Sequence, residues 1–386
     1  MAAPQLPADV AKALTDPKAY GEWNGLHDKF AWARANAPLA VAEVPDYDPF
    51  WAVTRHADIM EVSRNNKLYA SGVRQTTLTM KAIDALVRTQ IPDGHLIKSL
   101  VQMDAPDHMK FRLLTQTWFM PKNLRILEDR IREIARETVD HMLSLGDECD
   151  FARDVALHYP LRVVMNILGV PREDEPRMLL LTQQLFGGQD KDLSGSGMDL
   201  MTPEQVVQIV AGAVKTFEDY FAALAEDRRR NPTDDVASVI ANALVDGKPL
   251  PPRDMAGYYI IVATAGHDTT SASTAGAMQA LARDPEQYAR VRADRSLLPG
   301  IVEEAIRWTS PVQHFMRSAT EDTELGGQKI KAGDWLMLCY ISGNRDEAVF
   351  PDPMTFNPDR TPNNQIAFGF GGHVCLGQHL ARMEMR

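Results

Sequence analysis

Cysteine is scarce in this chain: 386 residues include three, Cys149, Cys339 and Cys375, far apart and without a C-x-x-C pair. That spacing argues against a disulfide framework and sets the expectation of a reducing compartment, by default the cytoplasm. Long apolar runs are missing too, and Pro4, Pro7, Asp9, Asp16 and Pro17 break up the opening segment, so no membrane anchor or signal peptide is expected. Positive charge is the minority sign, with 41 Lys and Arg against 52 Asp and Glu and a net charge of −11. Nucleic acid is therefore an improbable partner, and an acidic protein would have to dock on a local basic patch. The chain has no internal repeat, low-complexity tract or linker, so residues 1–386 are expected to form one domain.

What is present is mostly helix. Helical periodicity runs from about residue 105 to 310, with strand signals near 50–55 and 323–341, which predicts a mainly α protein with small β-sheets, class α+β. Apolar spacing and a leading proline predict one helix from Pro121 to Gly146. A capping box with proline at the first helical position, Thr202-Pro203-Glu204-Gln205, opens another that runs to about Arg230. Gly, Ser and Asp crowd the stretch between Gly187 and Gly197, a candidate lid. A third helix, about 30 residues and 45 Å long, should run from Pro251-Pro252 to about Asp284-Pro285 and cross the whole molecule.

Two short runs carry chemistry. The first, Phe368-Gly-Phe-Gly-Gly-His-Val-Cys375-Leu-Gly377, sets one cysteine in a loop of glycines just before a helix. Glycines let the backbone approach a flat cofactor, and backbone N–H groups with the helix dipole stabilise a thiolate, so Cys375 reads as a ligand to iron. Two other readings stay open at this point: a buried cysteine in a turn, or zinc held by His373, Cys375 and His379. The second run, Ala265-Gly266-His267-Asp268-Thr269-Thr270, interrupts the apolar middle of the long helix. Gly266 and the Thr269 hydroxyl can open a kink, and an acid beside an alcohol suits proton delivery into a dry pocket. Helical spacing puts Ile261, Thr264, Ala265, Asp268 and Thr269 on one face and turns His267 away from it, as a packing residue.

The cysteine loop resembles the signature of the cytochrome P450 family, and the likeness extends to most of the chain. It implies the P450 fold, with a long central distal helix and a proximal Cys loop around a thiolate-ligated haem b. Cys375 would be the metal ligand, with Phe368, Gly369 and Gly377 beside it and Ala265 on the opposite face of the haem. His108, Arg112, Arg317 and His373 would bind the propionates, while Glu304, Arg307 and Arg360 would form a structural network. Thr269 and Asp268 would be catalytic, the first hydrogen-bonding to dioxygen and the second relaying protons.

Substrate walls would come from Ile261, Thr264, Ala265, Gln313 and Phe315, with the segments around Met80 to Val101 and Leu185-Phe186. The runs Ala263 to Ser271 and Trp308 to Val312 are most similar to the bacterial terpineol-hydroxylating branch, which implies a monoterpene or an alkyl- or aryl-substituted ring as substrate. Peroxide-using relatives carry arginine and proline where Asp268 and Thr269 stand, so O2 is the expected oxidant. With no flavin or iron–sulfur motif in the chain, electrons would come from a ferredoxin and its NAD(P)H-dependent reductase, docking near Lys110, Lys122, Arg125 and Arg382. The alternatives are a haem-binding sensor without turnover, a peroxide-dependent relative, or a zinc or metal-free helical protein. Family members usually continue past the position of Arg386, so the sequence is expected to stop within the helix after the Cys loop.

Overall fold

A computed structural model describes residues 3–187 and 201–386. Its nine named strands are β1 (Leu39–Ala42), β2 (Phe50–Val53), β3 (Tyr69–Ala70), β4 (Leu244–Val245), β5 (Lys248–Pro249), β6 (His314–Ala319), β7 (Thr323–Leu325), β8 (Gln328–Ile330) and β9 (Trp335–Cys339). The main sheet has the order β1-β2-β9-β6-β3, in which only the β2–β9 pair is parallel, and β4–β5 and β7–β8 are separate hairpins.

Eight of the helices position the site: α1 (Asp107–Gln116), α2 (Tyr159–Ile167), α3 (Glu175–Phe186), α4 (Pro203–Arg230), α5 (Pro252–Ala265), α6 (Asp268–Arg283), α7 (Leu298–Thr309) and α8 (Gln378–Met385). The α4 start follows from its sequence: the Thr202 hydroxyl accepts from Gln205 N, and Gln205 Oε1 accepts from Thr202 N at 2.9 Å. Val207, Val214, Phe217, Phe221 and Ala225 form its buried stripe, and Phe221 stacks on Tyr259 of α5 at 5.0 Å. Burying each such aromatic is worth about 1.5–3 kcal/mol, so this contact anchors the N-terminal half of the central helix pair.

Two helices expected as single pieces are broken. Pro121–Gly146 divides into a helix at Pro121–Leu124, a 3-10 turn at Arg125–Leu127 and a helix at Glu128–Ser144. The long distal helix divides into α5 and α6 at Gly266–His267, where His267 has ψ −74°. Thr269 Oγ1 donates to Ala265 O at 2.8 Å there, bonding back one turn as its spacing suggested. Packing requires the glycine: a Cβ on Gly266 would lie 2.7 Å from a methyl of Val164 on α2. The predicted lid lies, beyond Gly187, outside the described residues.

Candidate functional site

A largely apolar cavity separates the α5–α6 junction from the loop before α8. Ile261, Val262, Ala265, Gly266, Thr269, Thr270 and Ser273 line one side, and Phe368, Gly369, His373, Cys375 and Gly377 the other. Ala265 lies at mid-molecule and is nevertheless exposed, because its methyl faces this space. Helical geometry explains the residues that recur three and four apart. The lining face is turned toward Val262, Gly266 and Thr270, which corrects the placement of Thr264 and Asp268: Thr264 is 2% exposed with its hydroxyl donating to Ile260 O at 2.7 Å, and Asp268 is off the lining, its Oδ1 accepting from Gln183 Nε2 at 3.3 Å. On the sheet side, alternation along β6 brings Phe315 and Arg317 to the cavity, and Pro311 and Val312 join them. Gln313 is not on the wall; it precedes the strand, and its carbonyl accepts from Ile341 N at 3.3 Å. From the Met80–Val101 segment only Leu100 and Val101 reach the cavity, while Leu185 packs on the core and Phe186 is 56% exposed.

The cysteine loop is held from both ends. Cys375 N donates to Phe368 O at 2.8 Å, and Gly369 N to Ile366 O at 2.9 Å. Gly371 has φ +71°, and a Cβ there would meet Ser63 O at 2.3 Å, so only glycine fits. Burial pushes the Cys375 thiol up, opposed by backbone N–H groups of Gly377 and Gln378 and by the charges of Arg112 and Arg382. A thiolate at this position therefore calls for a cation across the cavity.

A cluster of positive and imidazole groups flanks the loop. His108 of α1 stacks on His373 at 4.0 Å, with Arg112 and Arg317 nearby. Burial, then Arg317, His108 and Arg112, drive His373 down to about 2, and burial followed by Arg112 lowers His108. Among the described residues no carboxylate pairs with either arginine, and the one side-chain hydrogen bond of Arg317 goes to Met316 O at 2.7 Å. Asp104, whose charge acts on His108, spends its oxygens on Ser71 N and Gly72 N at 2.8 and 2.7 Å. One buried guanidinium, Arg317, and one half-buried, Arg112, without an anion are costly, so this rim is built for a dianion.

Behind the loop, Glu304 and Arg307 of α7 are both fully buried. Arg307 donates to Glu304 at 2.8 and 2.7 Å, Arg360 Nε to Glu304 Oε2 at 3.2 Å, and Asn357 N and Asn363 Nδ2 at 2.8 and 3.1 Å. Asn344, not singled out in the sequence, connects this network to the loop: its carbonyl accepts from Arg307 at 2.8 Å and its Oδ1 from Ile366 N at 2.7 Å.

The family model for cytochrome P450 matches residues 73–386. This chain belongs to the cytochrome P450 family. Cytochrome P450-terp of Pseudomonas is 43% identical over 99% of this chain and 89% of its own. Linalool 8-monooxygenase of Pseudomonas putida is 32% identical, covering 93% and 86%. The crystal structure of CYP108D1 from Novosphingobium aromaticivorans superposes with a TM-score of 0.92 at 57% identity, over 99% of this chain and 90% of that one. The P450 is thus an oxygen-incorporating oxidoreductase of a family that binds haem through a cysteine thiolate.

Its residues fit that cofactor, with a cationic rim that has no carboxylate partner among the described residues and a half-buried sulfur facing an apolar slot. The zinc alternative finds no support, since no group of three His, Cys, Asp or Glu able to hold a metal occurs among the described residues. Among the described residues no helix is long and apolar enough to cross a membrane.

The four cations expected at the partner face differ in character. Lys110 pairs with Asp246 at 2.6 Å and Arg382 with Glu303 at 3.0 Å, which neutralises both. Lys122 and Arg125 have no carboxylate within 4.0 Å among the described residues and lie close in sequence to exposed Met120 and Ile126.

Proposed function

We propose that this P450 inserts one oxygen atom from O2 into a monoterpene or a similarly compact alkyl- or aryl-substituted ring, using electrons from a ferredoxin and its NAD(P)H-dependent reductase. One observation carries the reading: an apolar slot bounded by Ile261, Ala265, Val312 and Phe315 opens at the Thr269 hydroxyl, with Asp268 next in sequence. Such a wall selects by shape and apolar contact, so it suits a small hydrophobic ring. The relatives point the same way, with linalool the substrate of the Pseudomonas putida enzyme and pseudoionone the molecule bound in the Mycobacterium marinum structure, 31% identical with a TM-score of 0.87.

Haem supplies the redox chemistry and the activation of O2 when bound. The chain supplies the surroundings. Cys375 anchors the cofactor, while His108, Arg112, Arg317 and His373 hold its carboxylates, and the apolar wall excludes water and orients the substrate. Thr269 presents a hydroxyl at the cavity, and Asp268 moves protons toward it from the side of α3. Burial pushes the Asp268 carboxyl above the usual carboxylate range, the direction that favours its proton-donating form.

The test is turnover under isotopically labelled O2 with α-terpineol, linalool and an alkylbenzene, a ferredoxin, its reductase and NADPH. One labelled oxygen in the product and a substrate-induced spin shift are expected. Oxygen drawn from water, or no shift with any of the three, would overturn the proposal.

A further inference from the structure

His267 lies at the helix interruption, off the cavity face, where spacing alone makes it a packing residue. Its geometry says more. The ring is fully buried and Nε2 lies 2.7 Å from Leu157 O. A carbonyl only accepts, so Nε2 carries a hydrogen and Nδ1 of the neutral ring carries a lone pair. That Nδ1 has no hydrogen-bond partner among the described residues, yet it lies 3.2 Å from Asp268 Oδ1, within ion-pair distance although short of full hydrogen-bond alignment. A lone pair facing a carboxylate oxygen in a buried site is repulsive, so one proton belongs to the pair. From α3, Gln183 Nε2 donates to the same Oδ1 at 3.3 Å, a neutral donor that leaves the charge uncompensated. Among the described residues no lysine or arginine pairs with Asp268.

Building on the reading that Asp268 delivers protons, we propose that His267 is a positioning residue of that relay, whose Nδ1 accepts from the Asp268 carboxylic acid and keeps its proton stored beside the cavity. In the delivery step the Asp268 O–H bond breaks and the proton passes toward Thr269, leaving a carboxylate. A proton from solvent then re-forms the O–H, and no electrons move. Reloading enters at Asp268, whose side chain is 33% exposed while that of His267 is 0%. Burial pushes the imidazole down and the acid up, both toward a proton on the carboxyl, while the attraction between the two groups opposes each shift. The other titratable neighbour of the ring is His158, lowered by burial and by Arg162, with Asp154 acting weakly against them.

Two substitutions separate the two ends of the ring. His267→Gln can keep the donor toward Leu157 and loses the acceptor toward Asp268; His267→Asn keeps an acceptor near the Nδ1 position and loses the Leu157 bond. In haem-loaded protein, infrared difference spectra in H2O and D2O should show a protonated-carboxyl band that is absent in Asp268→Asn. That band should shift or vanish in His267→Gln and persist in His267→Asn. In turnover with α-terpineol, His267→Gln should lose product per NADPH by about 10-fold, at the low end of general acid–base contributions, while His267→Asn stays close to the parent. A parent-like band and coupling in His267→Gln would overturn the proposal, as would equal loss of haem and folding in both variants, which would make the residue structural. Unimpaired coupling in Asp268→Asn would instead overturn the underlying reading of Asp268. Impaired coupling there with normal His267→Gln would remove only the role given to His267.

Discussion

The two walls of the cavity are built on opposite rules. Behind Cys375, every oxygen of Glu304 is occupied and both guanidiniums of its network are satisfied by carboxylate or carbonyl groups. At the α5–α6 junction the backbone ladder is broken, His267 Nδ1 and the Ser271 hydroxyl lack hydrogen-bond partners among the described residues, and the Asp268 carboxyl is held by one long bond. The Glu304 centre of the first wall has one arrangement, although Asn363 Oδ1 at its edge and Glu384 Oε2 of α8 lack hydrogen-bond partners among the described residues. The second has groups free to change partners, which proton transfer requires. Buried polar groups therefore serve two ends in one molecule: complete satisfaction fixes a ligand, and incomplete satisfaction leaves capacity for chemistry.

Breaking the ordered wall should have the larger effects. Cys375→Ser should abolish the thiolate-type spectrum and all coupled turnover, checked by reduced carbon monoxide spectra and product analysis. Glu304→Gln should leave Arg307 and Arg360 short of a counter-charge and destabilise the fold by about 3–5 kcal/mol, read from denaturant unfolding of the haem-loaded protein. On the other wall, Thr269→Ala should keep haem and substrate binding but lower product formation on the order of 10²-fold, with electrons recovered as hydrogen peroxide. Intact stability with lost coupling at Thr269, against lost stability at Glu304, is the pattern that sharpens the contrast. If Thr269→Ala unfolds as readily as Glu304→Gln, the contrast fails.

The smallest effect belongs to the surface. Lys122→Glu with Arg125→Glu should slow reduction by ferredoxin about 10-fold at low salt, a difference that shrinks as ionic strength rises. The same change at Lys110, already paired with Asp246, should do less. Stopped-flow reduction across a salt series distinguishes the two.

The sequence made the ordered wall easier to read than the reactive one. Glycines clustered around Cys375, and the Glu304–Arg307 spacing on a helix, are local patterns whose consequences are local. The α4 cap is likewise written in adjacent residues, Thr202 to Gln205. What escaped depends on contacts distant in the chain. The side chains of β6 alternate but its apolar pattern does not, because Arg317 faces the cavity beside Phe315 while Met316 and Ser318 are buried on the other side. The lining face of α5–α6 is set by how Thr264 and His267 bury against protein, including the α2 methyl that excludes a side chain at Gly266, and no periodicity within the helix reports that rotation. Asn344 joins the loop to the Glu304 network from an otherwise unremarkable helix turn, and the Asp268–Gln183 contact spans 85 residues.

The most direct measurement of the central claim, that Cys375 anchors haem across from Ala265 and Thr269, is the absorption spectrum of the dithionite-reduced protein under carbon monoxide. The account predicts a strongly red-shifted Soret band in the parent that is lost in Cys375→Ser. An imidazole-type band in the parent, or a parent-like band in Cys375→Ser, would contradict it.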